Sequence, residues 1–391
     1  MKPARALLLL GLISLPSLRA VYAPIPEQEQ GKEVTVTVAA GVSHDSNIFG
    51  SRHGAIASTV YELSPKISFN ASLTDQTFAS ASYDLTVDEF ENRPGDKTLD
   101  SHDFNVRLAH AFSSATTLDL NDEYQINRNP ESLLNGVAVN TDQSFKRNGF
   151  DGRFTTTVTE KAGVILKFRS TNYSYDDATL GTSLDRTENL YGLSGTYALL
   201  PETKLVGEYR HEDINYRVTG AAKDKQTDFA IGGFDYNVAK QVTASARLGY
   251  TWRNRDSQPS ATAPYAELSG KYDFGERAYV SGGYSYTFEE TSNILLYNDT
   301  KVNRFFVNVQ QPLSANIVAS GSVSYEPAQL QLRGGGGSVA ETTTRVGLAL
   351  TWIVDKNFSV AATYDHDNVR SDDPTRGQMR DRYGVNASYM F

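Results

Sequence analysis

Apolar and polar residues alternate with period two along most of this 391-residue chain, the spacing that sends successive side chains to opposite faces of a β-strand. The faces separate cleanly in four stretches. Phe104, Val106, Leu108, His110 and Phe112 share one side, against Asn105, Arg107, Ala109 and Ala111. Val242, Ala244, Ala246, Leu248, Tyr250 and Trp252 stand against Thr243, Ser245, Arg247, Gly249, Thr251 and Arg253. Val346, Leu348, Leu350, Trp352 and Val354 oppose Arg345, Gly347, Ala349, Thr351 and Ile353, and Phe358, Val360, Ala362 and Tyr364 oppose Ser359, Ala361, Thr363 and Asp365. Extended to the whole chain, the pattern predicts strands over 33–43, 56–72, 77–90, 99–112, 116–129, 144–158, 162–175, 187–200, 203–217, 226–238, 242–254, 263–274, 277–289, 300–312, 317–331, 341–354, 358–369 and 380–391. Every second connection is short, as at Thr74-Asp75-Gln76, Glu160-Lys161 and Gly275-Glu276; the others are longer and polar, as at 43–54, 130–142, 176–185 and 332–340. That is a run of up-and-down hairpins. Alternation is least regular in the first two strands and in 226–238, where Asp228, Phe229, Phe234 and Asp235 break it, so the expected count is eighteen with sixteen as the alternative.

In each clean strand the second face is small or charged, and an Arg or Lys at mid-bilayer costs roughly 2 to 4 kcal/mol. The charged face therefore belongs inside and the oily face outside. The expected fold is all-β: a single closed antiparallel transmembrane β-barrel with short periplasmic turns and longer extracellular loops. Closure is compulsory in lipid, because an open edge leaves backbone groups unpaired. Tyr250, Trp252, Tyr272, Phe274, Tyr284, Tyr286, Trp352, Tyr364, Tyr389 and Phe391 gather toward strand ends, as interfacial girdles do; a soluble sandwich would place its aromatics near strand centres. The composition agrees: 22 Tyr, 18 Phe and 30 Gly accompany a mean hydropathy of −0.41, because a polar interior offsets the oily exterior.

The final strand, Tyr383 to Phe391, carries Tyr383, Val385, Ala387, Tyr389 and Phe391 on one face. It resembles the closing strand of bacterial outer-membrane barrels, whose terminal aromatic and alternate apolar residues form the signal read by the barrel-insertion machinery; Tyr383, Val385, Tyr389 and Phe391 are the residues that the resemblance assigns to it. Residues 1–23 read as a secretory signal peptide, with Lys2 and Arg5 before the apolar core Ala6 to Leu15 and small residues at Ala20 and Ala23. Residues 24–32, rich in Pro, Gln and Glu, read as a short periplasmic leader, and 33–391 as the barrel. The hairpin start Ala39-Ala40-Gly41-Val42-Ser43-His44-Asp45-Ser46-Asn47-Ile48-Phe49, the repeated aromatic hairpins and the terminal Tyr-Met-Phe resemble the β-barrel porin family carried near exopolysaccharide or exosortase-type gene clusters. The resemblance implies the bacterial outer membrane, with its lipid and lipopolysaccharide, and no catalytic set.

The net charge of −9 offers no basic surface for nucleic acid. Removing the first 23 residues takes away Lys2, Arg5 and Arg19 and leaves −12. Six His are scattered without zinc-ligand spacing, so no metal, cofactor or catalytic site is expected. Three local features carry candidate chemistry: His110 near Asp119 as part of a lipase-like triad, Asp365-His366-Asp367 with Asp372 and Asp373 as a cation site or a solvated acidic loop, and Gly334 to Gly337, read as a flexible loop tip. An eighteen-stranded wall is wide enough for a water-filled channel. Its expected lumen-lining residues are Arg107, Asp119, Glu123, Lys167, Arg169, Glu208, Arg210, Arg247 and Arg304. Mixed signs suit passage of small hydrophilic or oligosaccharide solutes with weak ion selectivity. The alternative is a non-conducting structural or surface-interaction barrel, linked to exopolysaccharide export, in which the charges pair across neighbouring strands and stiffen the wall.

Overall fold

The computed structural model describes residues 33–128, 144–239, 241–290, 296–374 and 376–391. The segments read as signal peptide and leader lie outside the described residues, as does the connection 130–142. Eighteen strands follow in order: β1 (Val34–Asp45), β2 (Ser58–Thr74), β3 (Thr77–Phe90), β4 (Thr98–Ala111), β5 (Thr116–Asn127), β6 (Phe145–Thr157), β7 (Ala162–Tyr175), β8 (Arg186–Leu200), β9 (Thr203–Tyr216), β10 (Lys225–Ala239), β11 (Val242–Arg255), β12 (Ala261–Asp273), β13 (Tyr279–Glu289), β14 (Tyr297–Pro312), β15 (Ile317–Leu332), β16 (Ser338–Ile353), β17 (Phe358–Ser371) and β18 (Gln378–Met390). Each pairs antiparallel with its neighbours in sequence, and β1 pairs with β18 from Thr37↔Met390 to Asp45↔Arg382, which closes the barrel. The eighteen-strand reading holds, and its strand ends agree with the observed ones to within a few residues. The structure adds two short helices that alternation could not reveal, α1 (Ala178–Leu184) and α2 (Gly220–Lys223), and a 3₁₀ turn at Arg333–Gly335.

The outer face is oily. Phe104, Val106 and Leu108 on β4 and Phe112 just past its end, Leu248, Tyr250 and Trp252 on β11, and Tyr383, Val385, Tyr389 and Phe391 at the chain's end are all exposed, the inverse of a water-soluble protein. Aromatics form two belts. About midway along the strands, Tyr83 stacks on Phe104 at 4.5 Å, Phe168 lies 5.3 Å from Tyr191, and Tyr284 lies 4.8 Å from Phe305. Near the short turns, Tyr272 meets Phe274 at 5.9 Å and Tyr389 meets Phe391 at 4.8 Å. From Phe104 to Phe112 the strand rises roughly 27 Å at about 3.4 Å per residue, and a tilt of about 40° brings the height to roughly 21 Å, close to the apolar band of an outer-membrane barrel.

Polar groups mark the upper edge of that band. Tyr209 Oη and His211 Nδ1 meet Asp228 Oδ1 at 2.6 and 2.8 Å, and Tyr364 Oη and His366 Nδ1 meet Asp381 Oδ1 at 2.8 and 2.7 Å. Carboxylates so placed belong among headgroups, since hydrocarbon would charge heavily for their desolvation. The broken alternation in β10 has a related cause. Asp228 and Phe234 share the outer face, whereas Phe229 and Ile231 turn inward and bury themselves against Tyr265.

Between β10 and β13 the strands approach so closely that glycine is required. A Cβ added at Gly249 would collide with the Ala230 carbonyl oxygen, while one added at Gly195 meets nothing within 4 Å. Gly249→Val is therefore expected to lower the folded, heat-modifiable fraction sharply on a semi-native gel, and Gly195→Ala to leave it unchanged. Equal yields for both variants would contradict the packing described.

Candidate functional site

The charged residues picked from the sequence sit on the face opposite the oily one, and each has an ionic partner nearby. Arg107 donates to both oxygens of Asp119 from Nε at 2.9 Å and Nη2 at 2.6 Å. Glu123 receives Arg147 at 3.1 Å. Glu208 stands between Lys167 and Arg210, at 2.8 Å from each. Arg169 pairs with Asp151 at 2.7 Å, Arg247 with Asp235 at 2.6 Å, and Arg304 with Glu289 and Glu326 at 3.0 and 3.2 Å. Most of these partners face each other on adjacent strands, as the registers Arg107↔Asn121, Asp151↔Arg169 and Gly233↔Arg247 place them directly opposite or two positions apart. Arg147, Asp151, Asp235, Glu289 and Glu326 escaped selection from sequence, although they share the parity of the residues that were chosen.

At the loop end these pairs merge into a buried network. Arg253 and Asp299 lie on β11 and β14, yet meet at 2.7 Å, and Lys225 on β10 reaches Glu290 at 2.9 Å and Asp299 at 3.3 Å. Arg255 also bonds Asp299, and Tyr216 Oη donates to Glu290 at 2.6 Å. Asp299 is 0% exposed and Arg253 2%. Side chains three and four strands apart can touch only where the wall curls tightly and its inner face is filled.

Two loops add to this narrowing. The β1–β2 loop seats Ile48 among Val60, Phe90 and Leu99, which lie on the inner parity of β2, β3 and β4. It is held there by Asn47, whose Nδ2 donates to the carbonyls of Ser51 at 2.8 Å and Met379 at 3.1 Å, and by the Asp45–Arg380 ion pair. On the other side α1, capped by Asp177, places Leu184 against Tyr175, Ile214 and Tyr216 on the inner faces of β7 and β9. Further ties join the loop ends: Tyr297 Oη to Asp373 at 2.7 Å, Arg376 to Glu341 at 2.7 Å, and Arg333 to the Ala222 carbonyl at 3.3 Å. Lys223, in α2, donates to the Ser183 carbonyl at 3.2 Å; burial, aided by nearby Arg333 and Lys225, pushes its ammonium down to about 8.

The three other local features resolve into structure. His110 faces outward and meets Thr77 Oγ1 at 2.9 Å, on the opposite side of the wall from Asp119. Asp367 points to Arg382 at 3.2 Å while His366 turns outward to Asp381, so alternation separates the acidic run instead of gathering it. Gly334 and Gly335 adopt positive φ at a loop tip. No cluster of His, Asp and Glu suited to a metal occurs among the described residues.

Burial sorts the ion pairs by energetic weight. Asp299→Ala would strand the Arg253 and Lys225 charges in a dry site and should cost about 3–5 kcal/mol of folding stability. Asp151→Ala, at a pair whose side chains are 44% and 35% exposed, should cost at most about 1 kcal/mol. Urea titration of the barrel in detergent micelles measures both, and equal losses would refute the ranking.

Comparison with known proteins agrees with this geometry. No curated protein matches the chain. Among solved structures, the outer membrane protein opdK from Pseudomonas aeruginosa is similar at 12% identity and a TM-score of 0.51, covering 92% of this chain and 98% of its own. OpdK from the same organism with vanillate aligns at 11% identity, a TM-score of 0.50 and the same coverage. These likenesses concern the fold. The family described as "Putative beta-barrel porin 2" matches residues 33–391. The chain belongs to that family and is a protein of the bacterial outer membrane.

Proposed function

We propose that the barrel is a passive conduit for small hydrophilic solutes, oligosaccharides included, entered from the periplasm through its turn end and narrowed at its extracellular mouth. The observation that carries this reading is the contrast between the two ends of the inner face. Toward the turns, charges are paired yet water-accessible, as at Lys271 and Asp273, 46% and 34% exposed; toward the loops they are buried. Arg107, Asp119, Glu123, Lys167, Arg169, Glu208, Arg210, Arg247 and Arg304 then line a lumen in which each cation sits beside an anion. Such a wall holds water without a net field along it, which favours weak ion selectivity. The interlocked network around Asp299 favours a second reading, a non-conducting structural barrel closed at its mouth. Planar bilayers and sugar-loaded liposomes decide between them: the conduit should show steady conductance with little cation or anion preference and admit small sugars, whereas background conductance and no sugar entry would leave the structural reading.

The surroundings follow from the same reading. Residues 1–23 direct secretion, 24–32 form a leader in the periplasm, and the outer belts contact lipid and lipopolysaccharide. Tyr383, Val385, Tyr389 and Phe391, all exposed on the oily face, serve as the signal for the barrel-insertion machinery. Deleting Phe391 should reduce the folded barrel recovered from outer membranes while leaving the conductance of each inserted barrel unchanged. Undiminished membrane yield would refute that role.

A further inference from the structure

The inner wall is chemically divided, and the division is contiguous. On its turn-side half, one row of register partners runs Ser320, Ala349, Thr363 and Gly384 across β15, β16, β17 and β18. The next row toward the turns runs Thr351, Ala361, Asn386 and Gly41, the last on β1. None of these side chains is charged and none is large. The far wall at comparable distance from the turns is built differently, with Arg247 paired to Asp235 on β11 and β10, and Lys271 paired to Asp273 on β12. Beside the neutral rows a recess of about 30 Å³ opens at Gly347, lined by Ser322, Arg345 and Asp365 among others, room for about two water molecules.

We infer that the strip from β15 through β18 to β1 is the path taken by the solute, and that it selects uncharged polyhydroxylated molecules, saccharides above all, over ions of similar size. The inference rests on the conduit reading and adds a location and a preference to it. A hydroxyl both donates and accepts, and the Asn amide does so through separate atoms. A sugar moving along such a strip exchanges one hydroxyl or water partner for another at small net cost. The ion-paired wall offers no such exchange, because its donors and acceptors are already engaged with each other. The small side chains also project little from the wall, so the strip obstructs a passing solute less than the long ion-paired side chains of β10 to β12 do.

The chain contains no cysteine, so a single introduced thiol is a unique address. Thr363→Cys places one on the strip; Ser245→Cys places one on the inner face of β11, where Ser245 Oγ lies 2.7 Å from Ser269 Oγ. Each variant, verified as folded by heat-modifiability, is reconstituted in liposomes loaded with raffinose and treated with a bulky uncharged maleimide. Modification at position 363 is expected to reduce raffinose efflux several-fold, and modification at 245 to leave most of it. Equal losses, or the larger loss at 245, would overturn the strip while leaving the conduit standing. Absence of raffinose efflux from the unmodified protein would overturn both.

Discussion

The backbone hydrogen bond between β1 and β18 is the constraint on which the rest depends. In hydrocarbon an unpaired amide costs several kcal/mol, so a sheet can cross the membrane only by joining its own edges. The register from Thr37↔Met390 to Asp45↔Arg382 performs that joining. Once the sheet is closed, period-two alternation is converted into an inside and an outside, and every later feature follows from which residues fall on which parity. The Asp45–Arg380 ion pair sits at the loop end of the same seam, so the strand that closes the barrel is tied to the loop that narrows it.

Closure also explains why the interior carries so many charges without a large electrostatic penalty. Directly facing or diagonal positions on neighbouring strands lie within reach of long side chains, and Arg107 with Asp119 or Arg169 with Asp151 use that reach to neutralise each other. Where the wall curls, reach extends farther: Arg253 and Asp299 meet across two intervening strands. The glycines of β10 to β13 permit the tight approach, and Phe229, Ile231 and Tyr265 supply the dry surroundings. Sharp curvature, inward apolar groups and buried ion pairs are thus three aspects of one local geometry.

Much of this was legible in the sequence because alternation is a local property. Phe104 to Phe112 announces its faces without reference to any other strand, and the end of the chain does the same. The irregular stretch 226–238 hid its logic because Phe229 and Ile231 answer to Tyr265, a partner two strands away that no window on the chain contains. The inward loops were missed for the same reason. Their signal was present as isolated apolar residues in polar connections, Ile48 in one and Leu180 with Leu184 in another, but a single isoleucine in a loop acquires meaning only when Val60, Phe90 and Leu99 are seen to converge on it. Parity alone assigns the charged residues to the inner face, whereas their partners need the register.

The apolar loop residues also account for the asymmetry between the two ends. Short turns have no length with which to fold back, so the turn end keeps its inner face open to water. A longer loop has two ways to remove an isoleucine or leucine from water: to reach the lipid or to turn inward. Reaching outward would carry its unpaired backbone groups toward hydrocarbon, which cannot satisfy them. Turning inward keeps those groups near water and the polar inner wall, where Asn47 and Arg52 bond the carbonyls of Ser51, Met379, Asp373 and Arg376. Inward packing is therefore the cheaper solution, and it narrows the mouth from loops too short to form a separate plug. A barrel built this way keeps its inner charges accessible toward the turns and buries them toward the loops because of the lengths and apolar content of its connections, with no change in the number of strands.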